Sequence, residues 1–84
     1  MGQIVIPEQV NELTNSGWYL YEKCRCGGKL KYKYRNMQYP TIEVRWYPNF
    51  YSFTIIDNNK TLVAMTPIGR LTQKLQEVLH VQAV

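Results

Sequence analysis

The chain has 84 residues, which is room for one domain spanning 1–84 and too little for two. At 45% hydrophobic and 19% charged, its composition is neither that of a disordered chain nor that of a membrane protein. Ten basic residues against six acidic ones give a formal charge of +4, compatible with an anionic partner, and no apolar run approaches the roughly 20 residues that a bilayer span requires.

Residues 1–6 lack the charged start and long apolar stretch of a signal peptide. Two cysteines make no disulfide framework. Together these predict a cytoplasmic chain, and Asn59-Lys60-Thr61 then reads as a hairpin turn rather than a glycosylation site.

Residues 4–6 are expected to form a short edge strand. Pro7 suits the first position of a helix, where its missing N–H costs nothing. Ile6, Val10 and Leu13 fall three or four apart on one helical face, and Gly17 suits a left-handed cap at its end. From Trp18 the period changes to two. The pattern predicts strands over 18–25 and 29–35 joined by a tight Gly27-Gly28 turn. A longer loop over 36–40 leads to a strand over 41–47. Pro48-Asn49 suits the centre of a turn, with strands over 50–57 and 60–65 following around Asn58-Asn59. Thr66 and Pro67 read as the cap and first residue of a last helix. Ile68, Leu71, Leu75, Val78 and Leu79 form its apolar stripe, and the tail from Val81 is expected to fray. The fold class is therefore α+β: an antiparallel β-meander of four to five strands, flanked by a short N-terminal helix and an amphipathic C-terminal helix packed on one face. So thin a core favours an oligomer or a bound partner.

Lys23, Arg25, Lys29, Lys31, Lys33 and Arg35 hold six of the ten basic residues, with Glu22 as their one acidic neighbour. Because strand side chains alternate, Lys29, Lys31, Lys33 and Arg35 share one face and Leu30, Tyr32 and Tyr34 the other. In the next strand Ile42, Val44 and Trp46 alternate with Glu43, Arg45 and Tyr47. If one face is buried, Arg45 and Tyr47 stand outside beside the lysines. Cations for phosphates and an exposed Tyr for bases are what a single-stranded nucleic-acid surface uses. The bland reading gives the same pattern: a half-buried strand needs a polar face, and edge lysines block aggregation. Glu43 would then pair with a basic neighbour across the strands. A meander followed by an amphipathic helix is similar in layout to the whirly-type single-stranded-DNA-binding proteins, whose helices often join two chains.

Two Trp, seven Tyr and two Phe all lie between Trp18 and Phe53. Trp46, Tyr47, Phe50 and Tyr51 crowd one turn, too many for so small a core. Trp46, Phe50 and Tyr51 are therefore candidates for a protein interface.

Cys24-Arg25-Cys26-Gly27-Gly28-Lys29-Leu30 resembles half of a zinc-ribbon knuckle, in which two thiolates precede a Gly turn. The knuckle places two residues between its cysteines where this chain has one, and the second pair is missing. Structural zinc needs four ligands, and His80 is the only other soft candidate. Four thiolates would require two chains. The expectation is reduced thiols, no resident metal and no cofactor. Asp57 is the only Asp, the Glu residues are scattered, and neither a phosphate loop nor a nucleophile–base pattern is present. The sequence therefore points to a non-enzymatic nucleic-acid-binding protein using Lys29, Lys31, Lys33, Arg35, Arg45 and Tyr47. The alternative is a protein-interaction or assembly module (an inhibitor, adaptor or structural subunit) binding through the aromatic turn and the C-terminal helix.

Overall fold

A computed structural model describes residues 6–82. The elements run α1 (Glu8–Asn15), β1 (Trp18–Cys26), β2 (Lys29–Asn36), β3 (Tyr39–Tyr47), a 3₁₀ turn (Pro48–Phe50), β4 (Ser52–Asp57), β5 (Lys60–Pro67), a second 3₁₀ turn (Ile68–Arg70) and α2 (Leu71–Gln82). The strands form one antiparallel sheet in the order β1-β2-β3-β4-β5, a plain meander. The expected α+β class and element order are both present. The edge strand expected over 4–6 lies outside the described residues except for Ile6, which is irregular.

Local chemistry explains the turns. Gly27 and Gly28 both take positive φ, +61° and +80°, as a two-residue hairpin of the right twist requires. Asn58 and Asn59 do the same at +50° and +68°. Between β2 and β3 the expected long loop shrinks to Met37 and Gln38. Buried Asn36 shortens it, because its side-chain oxygen accepts from the Gln38 N–H at 2.9 Å while its amide donates to the Ser16 carbonyl.

The N- and C-terminal helix starts differ from expectation. Pro7 caps α1 from outside rather than opening it, and its carbonyl accepts from the Val10 and Asn11 N–H groups. Thr66 does not cap α2. β5 runs on through Pro67, the Ile68 N–H donates to the Tyr51 carbonyl, and the Thr66 hydroxyl donates to Ala64. Proline is tolerated there because β5 is an edge strand with one side unpaired. The helix itself extends through Gln82.

Val10 and Leu13 from α1 and Ile68, Leu71 and Leu75 from the C-terminal segment cover one sheet face. Beneath them lie Trp18, Tyr34, Ile42, Val44, Trp46, Phe53 and Ile55. The register carries these inward rows across the sheet: Tyr34, Val44 and Ile55 form one, Tyr32, Trp46 and Phe53 another. Burying such a set at about 25 cal/mol per Å² of apolar surface is what holds the helices to the sheet. No helix among the described residues is long and apolar enough to cross a membrane.

Candidate nucleic-acid interface

The uncovered face of the sheet holds the basic ladder. Lys33 opposes Arg45 across β2–β3, and Arg35 opposes Glu43. Lys29, Lys31, Lys33, Arg35 and Arg45 therefore share that face, with Tyr47 following Arg45 two residues on, as alternation requires. Tyr47 is half-buried there rather than fully open.

The face is not a bare row of charges. Glu43 sits in its middle with only 6% of its surface exposed. Three donors converge on its carboxylate. The Tyr21 hydroxyl donates to Oε1 at 2.5 Å, Arg35 Nη2 reaches the same oxygen at 3.2 Å, and Arg45 Nε donates to Oε2. Arg35 also donates to the Pro40 carbonyl at 3.0 Å and lies over the Tyr21 ring, 4.9 Å from its centroid. Burial pushes the Glu43 carboxyl up, but the hydrogen bonds from Tyr21 and Arg45 outweigh it and hold the group below the ordinary glutamate range. Tyr21 responds in the other direction: burial and its bond to Glu43 keep its phenol protonated above the usual range.

A bulge in β1 makes this arrangement possible. Leu20 opposes Tyr34 and Glu22 opposes Lys33, so Tyr21 is the extra residue. Unbroken alternation from Trp18 would send Glu22 and Cys24 to the helix side and Lys23 and Arg25 to the lysine side. The bulge reverses that phase. Glu22 and Cys24 land beside Lys33 and Lys31, while Lys23 and Arg25 go to the opposite face. Glu22 then pairs with Lys33 at 3.2 Å, which raises the Lys33 pKa. The Cys24 thiol donates to Glu22 at 3.0 Å, and that bond, with burial, pushes the thiol pKa up. Among the described residues no group of three or more His, Cys, Asp or Glu side chains is placed to hold a metal.

Three of the expected binding cations are thus committed inside the sheet face: Lys33 to Glu22, and Arg35 and Arg45 to Glu43. The charge left over lies at the β1–β2 end. β2 pairs with β3 only as far as Tyr32 opposite Trp46, so residues 29–31 have their strand partner in β1 alone. The turn Pro48–Phe50 braces this ribbon, with Asn49 Oδ1 accepting from the Leu30 N–H at 2.8 Å. Lys29 lies over the Phe50 ring at 4.9 Å, and Lys23 over the Tyr32 ring at 5.6 Å. Among the described residues, Lys23, Arg25, Lys29 and Lys31 make no ion pair, although the charge of Lys31 is felt by Glu22 and helps to lower its pKa. Lys23 and Arg25 were visible in the sequence as part of the basic cluster. Their availability depends on the bulge, which no local motif announces.

The aromatic turn resolves into different roles. Trp46 is fully buried, so a partner cannot touch it, and its indole N–H has no acceptor among the described residues. Its ring meets Tyr51 edge-on at 5.5 Å. Phe50 and Tyr51 are about half exposed, at 47% and 51%, and border an open groove of about 540 Å³ with Pro7, Pro67 and Ile68. Tyr51 holds a left-handed backbone, φ +51°, as the residue that ends the 3₁₀ turn.

No protein-family model matches the chain, and neither a curated protein nor a solved structure matches it.

Proposed function

We propose that this chain is a non-enzymatic nucleic-acid-binding protein whose contact surface is the basic end of its sheet. One observation carries the reading: four cations of a single hairpin, Lys23, Arg25, Lys29 and Lys31, make no ion pair among the described residues, while their neighbours Lys33, Arg35 and Arg45 are held in ion pairs. A ribbon of cations outside ion pairs is what a phosphate backbone recognises, and released counterions then supply the affinity. Lys33, Arg35 and Arg45 stiffen the adjoining face and extend its positive field, and half-buried Tyr47 lies on the same side. The test is Lys29→Glu with Lys31→Glu, assayed against a mixed-sequence oligonucleotide at low salt. Binding by the parent chain and its loss in the variant support the reading; a parent chain that does not bind ends it.

The second reading, an assembly or adaptor role, is favoured by exposed Phe50 and Tyr51 beside their groove. A pull-down from the native cell with and without nuclease separates the two. A nuclease-resistant partner released by Tyr51→Ala would establish the protein interface.

A further inference from the structure

The β1–β2 ribbon carries cations that make no ion pair on both of its faces. Lys29 and Lys31 lie on the uncovered side of the sheet, Lys31 opposite Cys24. Lys23 and Arg25 oppose Tyr32 and Leu30, whose row continues into the core, so they lie on the other side. Both are nonetheless exposed. At the tip, Gly27 and Gly28 carry no side chain and stand in open space. The molecule is correspondingly long, 45 × 24 × 21 Å.

We infer that this ribbon enters the major groove of B-form DNA, with the two cation pairs reaching the phosphate backbones on either wall. The inference rests on the nucleic-acid reading and names its substrate class. A single strand presents one backbone and would engage one face, leaving the opposite pair idle. The B-DNA major groove, about 12 Å wide, admits a two-stranded β-ribbon and presents phosphates on both sides of it. The deep, narrow major groove of duplex RNA does not. The rings beside the cations point the same way. Tyr21, Phe50 and Tyr32 each have one face taken by Arg35, Lys29 or Lys23, which leaves at most one face of each ring for stacking.

Fluorescence anisotropy of the full chain at low salt tests this with three probes of matched length: mixed-sequence duplex DNA, one of its single strands, and duplex RNA. Duplex DNA is expected to bind at least about tenfold tighter than either alternative. Lys23→Glu with Arg25→Glu should weaken duplex binding as much as Lys29→Glu with Lys31→Glu. Circular dichroism establishes that each variant folds, and the single changes Arg25→Gln and Lys31→Gln supply the same comparison if a double variant does not. Equal or tighter binding to the single strand or to RNA overturns the groove inference. So does a silent Lys23/Arg25 pair. Either result leaves nucleic-acid binding standing, whereas no binding to any probe removes both.

Discussion

Replacing Glu43 by Gln should make this protein less stable and a better binder of nucleic acid at once. Gln keeps the shape and one acceptor oxygen but loses the charge that holds Arg35 and Arg45. Removing one partner of a buried ion pair costs about 3–5 kcal/mol. The Glu43 side chain is only 7% exposed, but those of Arg35 and Arg45 are 38% and 26% exposed, so water screens part of the loss. A cost of about 2 kcal/mol is reasonable, and in a domain of this size it lowers Tm by about 8–16 °C. The same change frees two guanidinium groups beside the β1–β2 ribbon. If four cations contact phosphate in the parent chain and six in the variant, the slope of log K against log salt steepens from about −3.6 to about −5.4. Differential scanning calorimetry and anisotropy on the same preparations read both effects. An unchanged Tm would refute the claim that Glu43 anchors the face. A lowered Tm with weaker or unchanged binding would refute the claim that it holds charge back from a ligand.

The acid limb of stability follows from the same site. Glu43 has a folded pKa below its unfolded value, so its contribution is present above the ordinary glutamate range and is lost as pH falls through the folded pKa. Glu43→Gln should flatten that part of an acid-unfolding curve; an unaltered curve would assign the acid sensitivity elsewhere. Trp46→Ala should cost about 3–5 kcal/mol in a urea titration, since the ring is fully enclosed. Trp46→Phe should cost less than about 2 kcal/mol, because it also removes an indole N–H without an acceptor; equal costs would contradict this. Gly17→Ala should destabilise by more than about 1 kcal/mol, because φ is +92° and the new Cβ would lie 3.3 Å from Asn36 Nδ2; a neutral result would argue against that close approach. In a Cys26→Ser background, Glu22→Gln should speed alkylation of Cys24 at neutral pH by removing the bond that keeps the thiol protonated; an unchanged rate would show that the bond does not control it.

The parts of this fold that could be read from the sequence are those where period and burial agree. Tyr34, Ile42, Val44 and Trp46 are core because each alternates with a polar or charged neighbour, and Ile68, Leu71 and Leu75 are core because they recur at helical spacing. The Gly-Gly and Asn-Asn turns were legible because few residue pairs accept two positive φ angles. Other features depend on long-range contacts. The bulge at Tyr21 changes the phase of β1 without changing its composition, and it is stabilised by Glu43, 22 positions away. Thr66-Pro67 is a valid helix start by local rules. The pairing of Pro67 with Ser52 and the bond from Ile68 to Tyr51 decide for strand instead. The candidate site divides in the same way. Which side of the sheet Lys29, Lys31, Lys33 and Arg35 occupy followed from alternation. Which of them are held in ion pairs depends on where two glutamates land in three dimensions.

The central claim is that the free charge of the β1–β2 ribbon binds nucleic acid, and a salt titration tests it most directly. Anisotropy of the parent chain on labelled mixed-sequence duplex DNA should give a linear fall of log K with log salt, of slope about −3.6 for four phosphate contacts. Between 50 and 200 mM salt that amounts to a loss of about 150-fold. Undetectable binding at 50 mM salt, or an affinity that does not change with salt, would contradict the account.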